Sequence, residues 1–455
     1  MASGHPSLVT HHSSLSTVFS LLAREEEYTV PDRDQHDRFL WAHSRLRHHE
    51  AGPRPFVSEY CQKLLLSIRE SCRQLALPML RKEPWPRGKP MAACLTHDVD
   101  VVRRGKLGRG IAVRDVTGAI SSLAHGKMGR ALTQAAAIAR TAARHQDPYW
   151  TFDRISAIEK EHGFRSTYFF MAGRLHPEDA SYGLGEPRIG RLLGELHRQG
   201  SEIALHGSCA SYADGESLRR QRNRLENATG IHAIGHRNHL LCFKAPDSWR
   251  AQAMAGFSYD STLGFADREG FRGAHAFPFH PYDLAADQQL DILEIPLALM
   301  EVTLHKYRRL RGPDASEAVT GLLDQVLSVN GLATLLWHND TFYEPEYPDC
   351  ARLYQEALGW LSTHGAHVAT CGEIDRWWRA REAVVLSPLP EGRTGWRMET
   401  PLEIDGLVLR GWMADPSLSP SVMPATEVRL RRDGTDYLLE FGRLRAGSRL
   451  EIEWS

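Results

Sequence analysis

The sequence is poor in the features that would place it in several large classes. It has no unbroken apolar run of the eighteen or so residues needed to cross a bilayer, so no segment reads as a membrane span. The opening Met1-Ala2-Ser3-Gly4-His5-Pro6 has no basic patch followed by an apolar stretch, and it is read as carrying no secretory signal. The formal net charge is only -1, so no global field argues for nucleic acid as a partner. Seven cysteines occur without one C-x-x-C pair, which argues against a disulfide framework or a structural zinc knuckle. Cys94, Cys242 and Cys371 lie in apolar or mixed runs and read as buried thiols, and a reducing, cytoplasmic setting is expected. No glycine-rich dinucleotide fingerprint, internal repeat or low-complexity stretch is present.

What is present is a chain of 455 residues, long enough for two or three structural units, with 42% hydrophobic and 24% charged residues, as in soluble globular proteins. Residues 1–90 are expected to form a helical region and linker. Val57, Cys61, Leu64, Ile68, Cys72 and Leu75 recur at helical spacing, and Pro84-Trp85-Pro86-Arg87-Gly88 breaks the pattern. From Met91 to about residue 385, short apolar runs alternate with helical stretches. The predicted strands are 92–96, 166–171, 202–206, 231–235, 292–296, 332–337 and 367–370. This pattern predicts an α/β fold, a distorted (β/α)7-type barrel with its chemistry at the C-terminal ends of the strands. A helical insertion over 101–150 holds nine Lys or Arg between Arg103 and Arg144 against one acid, Asp115. It reads as a solvated excursion or as a site for a phosphate, pyrophosphate or anionic membrane surface. Residues 395–455 alternate polar and apolar around Asp433-Gly434 and predict a small β domain.

Four polar clusters fall at predicted strand ends. In His97-Asp98-Val99-Asp100, the two carboxylates are two residues apart and share one face of an extended chain. So close together they repel unless a cation or proton separates them. His206 ends Glu202-Ile203-Ala204-Leu205-His206-Gly207 and is placed to bind metal. Gly235-His236-Arg237-Asn238-His239 offers an arginine able to pair with a carboxylate and a histidine able to act as a ligand. His338 ends Leu335-Leu336-Trp337-His338 and suits a general acid. Each cluster alone has a plain structural explanation, such as a helix cap, a histidine held by backbone bonds or a polar loop. Four of them at successive strand ends are harder to dismiss. Asp260 and Arg272 lie on a long polar-aromatic loop expected to shape a substrate pocket. Trp337 is a candidate sugar-stacking surface, although its alternation with His338 turns it toward the barrel wall. Trp377-Trp378 reads as core.

The order of these motifs over residues 91–380 resembles the polysaccharide deacetylase superfamily, carbohydrate esterase family 4. The His97-Asp98-Val99-Asp100 segment is similar to its Asp-x-Asp/Glu first motif. Ser166-Thr167-Tyr168-Phe169-Phe170 and Gly256-Phe257-Ser258-Tyr259-Asp260-Ser261 are similar to two further stretches. The resemblance implies Asp98 as base, Asp100 and His206 as metal ligands, Arg237 as support for the base and His338 as the acid that protonates the leaving group. There is one departure: Ala210 stands where the family's second histidine ligand would be, and His239 is the preferred replacement over His97 and His236. The implied cofactor is a divalent metal, with zinc favoured, and the implied partner is an N-acetylated saccharide, free or linked to a nucleotide or lipid. The resemblance also implies a place in glycan, exopolysaccharide or O-antigen biosynthesis. Peripheral membrane contact is compatible with the basic insertion. An amidase acting on a small metabolite and a binding protein with a lapsed site are the alternatives.

Overall fold

The computed structural model describes residues 15–48, 52–105, 113–143, 147–180, 182–415 and 417–454. Helices α1 (Leu15–Leu22), α2 (Glu25–Thr29) and α3 (Phe56–Gln74) lead to strand β1 (Met79–Lys82). The next unit begins with β2 (Ala92–Val99), α4 (Val113–Ala124), α5 (Met128–Ala142), α6 (Phe152–Glu161) and β3 (Ser166–Met171). It continues through α7 (Pro187–Arg198), β4 (Glu202–Gly207), α8 (Gly215–Thr229), β5 (Gly235–Asn238), α9 (Asp247–Met254) and β6 (Tyr259–Asp260). After a short hairpin, β7 (Tyr282–Asp283) and β8 (Gln288–Gln289), come β9 (Leu293–Glu294), β10 (Leu297–Met300), α10 (Gly312–Ser328), β11 (Leu332–Leu336), α11 (Cys350–Thr363), β12 (His367–Val368) and α12 (Cys371–Ala383).

The main sheet is parallel, in the order β10-β11-β2-β3-β4-β5-β6-β9, with β12 beside the start of β2. β9 and β10 stand at opposite ends of that order, yet only Ile295 and Pro296 separate them in the chain. One segment therefore pairs with β6 through its first half and with β11 through its second. The sheet curls back on itself, and the expected distorted seven-stranded barrel is the observed architecture. The third-motif strand starts at Gly235, four residues later than predicted, because the apolar Ile231 and Ile234 lie in the loop leading into it.

Strand alternation divides the core in two. On β2, Ala92 and Cys94 face the barrel axis, while Ala93, Leu95 and Val99 face the surrounding helices. The axial cluster continues past the barrel floor through Trp85 and Trp378 into the C-terminal strands. These are β13 (Val385–Pro388), β14 (Gly395–Thr400), β15 (Val408–Trp412), β16 (Pro420–Met423), β17 (Val428–Asp433), β18 (Asp436–Phe441) and β19 (Ser448–Trp454). They form two antiparallel sheets, β1-β15-β18-β17 and β13-β14-β19-β16. The expected small β domain is present, but its first sheet recruits β1 from the stretch read as helical region and linker. Trp85 of that stretch is fully buried and donates from its indole to the Asn330 carbonyl. The proline-rich run is a packed connection because a buried tryptophan pins it. Trp377 and Trp378 are buried, as core packing requires.

The basic insertion folds as the two-helix hairpin α4–α5. No helix among the described residues is long and apolar enough to cross a membrane.

Candidate metal centre at the strand ends

The inward column of β2 passes from apolar to polar: Ala92, Cys94, Thr96, then Asp98, which is only 2% exposed. Arg237, one residue into the inward face of β5, reaches across the axis. Its Nη1 donates to Asp98 Oδ1 at 2.9 Å and to Thr96 Oγ1 at 2.8 Å. Its Nε and Nη2 donate to the Ser261 carbonyl and hydroxyl, and its guanidinium lies 4.4 Å from the Phe169 ring centroid. Four of the five N–H donors of the fork are engaged, so the carboxylate it holds is fixed too.

Asp100, His206 and His239 present ligand atoms that all lie within 4.8 Å of one another. His206 Nδ1 donates to the Arg237 carbonyl at 3.0 Å, which turns Nε2 toward Asp100 Oδ1 at 3.2 Å and Asp98 Oδ2 at 3.7 Å. His239 Nδ1 contacts Asp179 Oδ1 at 3.2 Å, and its Nε2 faces Asp100 Oδ2 at 3.6 Å. Asp179 accepts in turn from Ser208 Oγ and from the backbone N–H groups of Leu175 and His176. This is the carboxylate-to-histidine support that orients metal-binding imidazoles. His338 faces Asp100 Oδ2 from the other side at 3.5 Å, with its Nδ1 on Glu301 Oε1 at 2.9 Å.

The donor set has unmet bonds that a metal ion would satisfy. His206 Nε2 and Asp100 Oδ1 are buried and have no hydrogen-bond partner. With Nδ1 donating to a carbonyl, a neutral His206 has only a lone pair at Nε2, and it points at carboxylate oxygens. Two acceptors facing each other in a buried site need a cation or a proton between them. Without a cation, protons serve. Burial disfavours charge on His239, but Asp100 and Asp179 outweigh it and push its pKa up to about 10. Burial likewise opposes charge on His338, and Glu301 with the two site aspartates raises it to about 10. For Asp100, burial pushes the carboxyl up, but the charge of His239, the close approach of both imidazoles and the charge of His338 hold it well below the usual range. One carboxylate and two imidazoles fit a divalent ion that keeps a position open.

The three residues expected to touch substrate are placed elsewhere. Asp260 is fully buried, bonded to His236 Nδ1 at 2.8 Å and to the Thr262 hydroxyl at 2.7 Å. Arg272 is buried in a bidentate pair with Glu27 at 2.6 and 2.8 Å, and so anchors α2 to the barrel. Trp337 is fully buried against Tyr354, and its indole donates to the Cys350 carbonyl at 3.0 Å. Alternation explains this for Trp337 and Asp260, which sit on the outward face of their strands. A distant acid explains Arg272. The mouth is instead a cavity of about 380 Å³ with an apolar wall of Leu240, Leu241, Met300 and Leu336, and with Lys306 and Tyr347 on its rim.

Asp179 and Glu301 were missed by sequence reasoning. Glu301 directly follows β10, so the strand-end rule that found the others covers it. Asp179 lies in a loop with no such signal.

Residues 8–72 match a model described as a family of unknown function (DUF7033). No curated protein matches the sequence significantly. Among solved structures, a candidate polysaccharide deacetylase from Mycobacterium smegmatis is similar, at 21% identity and a TM-score of 0.42 over 66% of this chain and 93% of that one. The peptidoglycan deacetylase PdaC from Bacillus subtilis is similar at 11% identity and 0.33, over 65% and 96%. A CE4 family pseudoenzyme from Bacillus anthracis is similar at 13% identity and 0.30, over 64% and 69%.

Proposed function

We propose that the chain is a metal-dependent hydrolase that removes an N-acetyl group from a saccharide or glycoconjugate, in the making of a glycan, exopolysaccharide or O-antigen. The observation that carries this reading is Asp98, held by Arg237 beside the Asp100, His206 and His239 cluster, with His338 facing it across the mouth. Zinc suits the donor set, held by Asp100, His206 and His239. When bound, the ion supplies Lewis acidity toward a carbonyl oxygen and makes a water more acidic.

The side chains divide the remaining work. Asp98 Oδ1 is occupied by Arg237, which leaves Oδ2 to take a proton from the attacking water. His338 is kept protonated by Glu301 on Nδ1, so Nε2 delivers a proton to the departing amine nitrogen. Leu240, Leu241, Met300 and Leu336 line one side of the mouth and exclude water from the acyl group. The products are acetate and a free amine.

The test is acetate release from a panel of N-acetylated sugars, with cyclic amides alongside to separate a small-molecule amidase. Asp98→Asn and His338→Ala are expected to lose at least a hundredfold in turnover. Near-wild-type turnover in both variants would sink the mechanism. Zinc content of His239→Ala, read by elemental analysis, is expected to fall below that of the wild type.

A further inference from the structure

His239 opens a turn that ordinary side chains avoid. The two residues after it, Leu240 and Leu241, have φ of 58° and 55°, in the left-handed region. Each is strained for a residue with a Cβ. Something must hold this backbone, and the contacts come from the N-terminal segment. Arg38, only 6% exposed, donates from Nη1 to the Leu240 carbonyl at 3.0 Å. Its remaining donors are committed to Asp34 Oδ2 and to the Tyr307 hydroxyl at 2.9 Å, and Asp34 is itself capped by the His36 and Arg38 backbone N–H groups. Leu40 packs against the apolar cluster that buries Leu241. The Trp41 and Ala42 backbone N–H groups donate to Asp267.

The geometry points to Arg38 as a positioning residue that clamps the strained Leu240–Leu241 turn and so sets the reach of His239 toward the metal. This assigns a task to the segment of unknown function. It rests on the metal-site reading above, in which His239 is a ligand. Asp179 fixes the ring of His239, and Arg38 fixes the backbone that carries it.

The experiment is zinc affinity by competition with a chromophoric chelator, using full-length protein. Arg38→Ala is expected to weaken zinc binding at least tenfold, and Arg38→Lys, which can still donate to the carbonyl, less. Arg38→Ala combined with Leu240→Gly is expected to regain most of the affinity, because glycine adopts the left-handed conformation without strain. A merely structural loss at Arg38 would lower the unfolding midpoint without moving the affinity of the folded fraction for zinc. Unchanged affinity in Arg38→Ala, or no rescue by Leu240→Gly, overturns the clamp while leaving the metal site standing. A wild-type chain that binds no zinc overturns the site itself and the clamp with it.

A second inference rests on the α4–α5 hairpin alone. Ile120, Leu123, Met128 and Leu132 are 54–67% exposed on it. With nine bases and one acid, residues 103–144 carry +8, leaving -9 on the remainder of a chain whose total is -1. The two helices hold Arg114, Arg130 and Arg140 against Asp115, and the other bases lie in the segments that flank them, two of them, Arg103 and Arg104, paired with acids. Exposed apolar side chains on helices set in a basic segment suit an anionic bilayer interface. The hairpin stem is tied to the site, since Arg104 pairs with Glu346, beside the rim residue Tyr347. We infer that this hairpin docks the protein on anionic phospholipid with the mouth close to the membrane surface.

Flotation with vesicles of phosphatidylglycerol against phosphatidylcholine alone tests this. Binding to the anionic vesicles only is expected, falling at least fivefold in the Ile120→Asp, Leu132→Asp variant with its circular dichroism and zinc content unchanged. No binding to either vesicle, binding untouched by the variant, or a concentration-dependent dimer that the variant abolishes each overturns it.

Discussion

The strand ends carry two sets of histidines, buried except for the half-buried His338, that face opposite sides of the sheet. His206, His239 and His338 face the barrel mouth, and each keeps one ring nitrogen on a fixed partner and turns the other toward Asp100. His97 and His236 lie one residue away from Asp98 and Arg237 and face the helices. His97 contacts the Trp337 carbonyl and Glu159, both at 2.8 Å, while His236 is bonded to Asp260. In the inner set the unmet nitrogen, His206 Nε2, points at the site carboxylates, whereas in the outer set His97 is bonded at both nitrogens and the unmet His236 Nε2 faces no carboxylate cluster. A buried polar residue at a strand end is thus a candidate for chemistry only when its column faces the axis.

Four substitutions would break or sharpen that contrast. The largest effect is expected inside: Asp98→Asn should lower turnover 10²–10⁴-fold while zinc content stays at the wild-type level. His97→Ala removes one partner of the buried Glu159, which keeps the Tyr354 and Ser166 hydroxyls. It should cost about 1–3 kcal/mol of unfolding free energy yet leave zinc stoichiometry intact, and a loss of zinc instead would erase the contrast.

The third concerns Glu27 and is read from pH. Burial raises its carboxyl, but Arg272 and Arg24 outweigh this and lower it to about 2. The folded value is depressed, so the stabilisation is present above pH 4.5 and is lost as pH falls from there through about 2. Glu27→Gln should remove up to about 3 kcal/mol at neutral pH and flatten the unfolding midpoint over that acid range. A midpoint profile identical to the wild type would contradict the pairing. The smallest effect belongs to Trp337→Phe, which loses the bond to Cys350 and about 1 kcal/mol. Its KM for an N-acetylated sugar should stay unchanged, and a rise would restore Trp337 to the substrate surface.

Asp98, Asp100, His206, Arg237, His239 and His338 converge on one mouth, and the sequence made this legible because alternation along a strand is a strict period of two. The barrel was legible for the same reason, since its strands are short apolar runs ending in polar residues. What escaped had no local signature. Asp179 reaches the site from a loop, Arg272 is neutralised by an acid 245 positions away, and Met79–Lys82 is a four-residue strand whose partner lies near the other end of the chain. Ala210 stands where the resemblance expects a histidine, but the contact of Arg38 with the Leu240 carbonyl, beside His239, has no signature in the sequence.

The pairing of β1 with β15 also bears on how the molecule is made. Met79–Lys82 leaves the ribosome first, yet its neighbours at Leu409–Trp412 follow only ~330 residues later, tens of seconds at ordinary rates of synthesis. Until then β1 is an edge strand without the rest of its sheet, and Trp85 waits for Trp378. The barrel is therefore completed between the two halves of its own foundation. A cut between α12 and β13 would not release two self-sufficient pieces, because the structural boundary runs across the chain and does not fall at any single point along it.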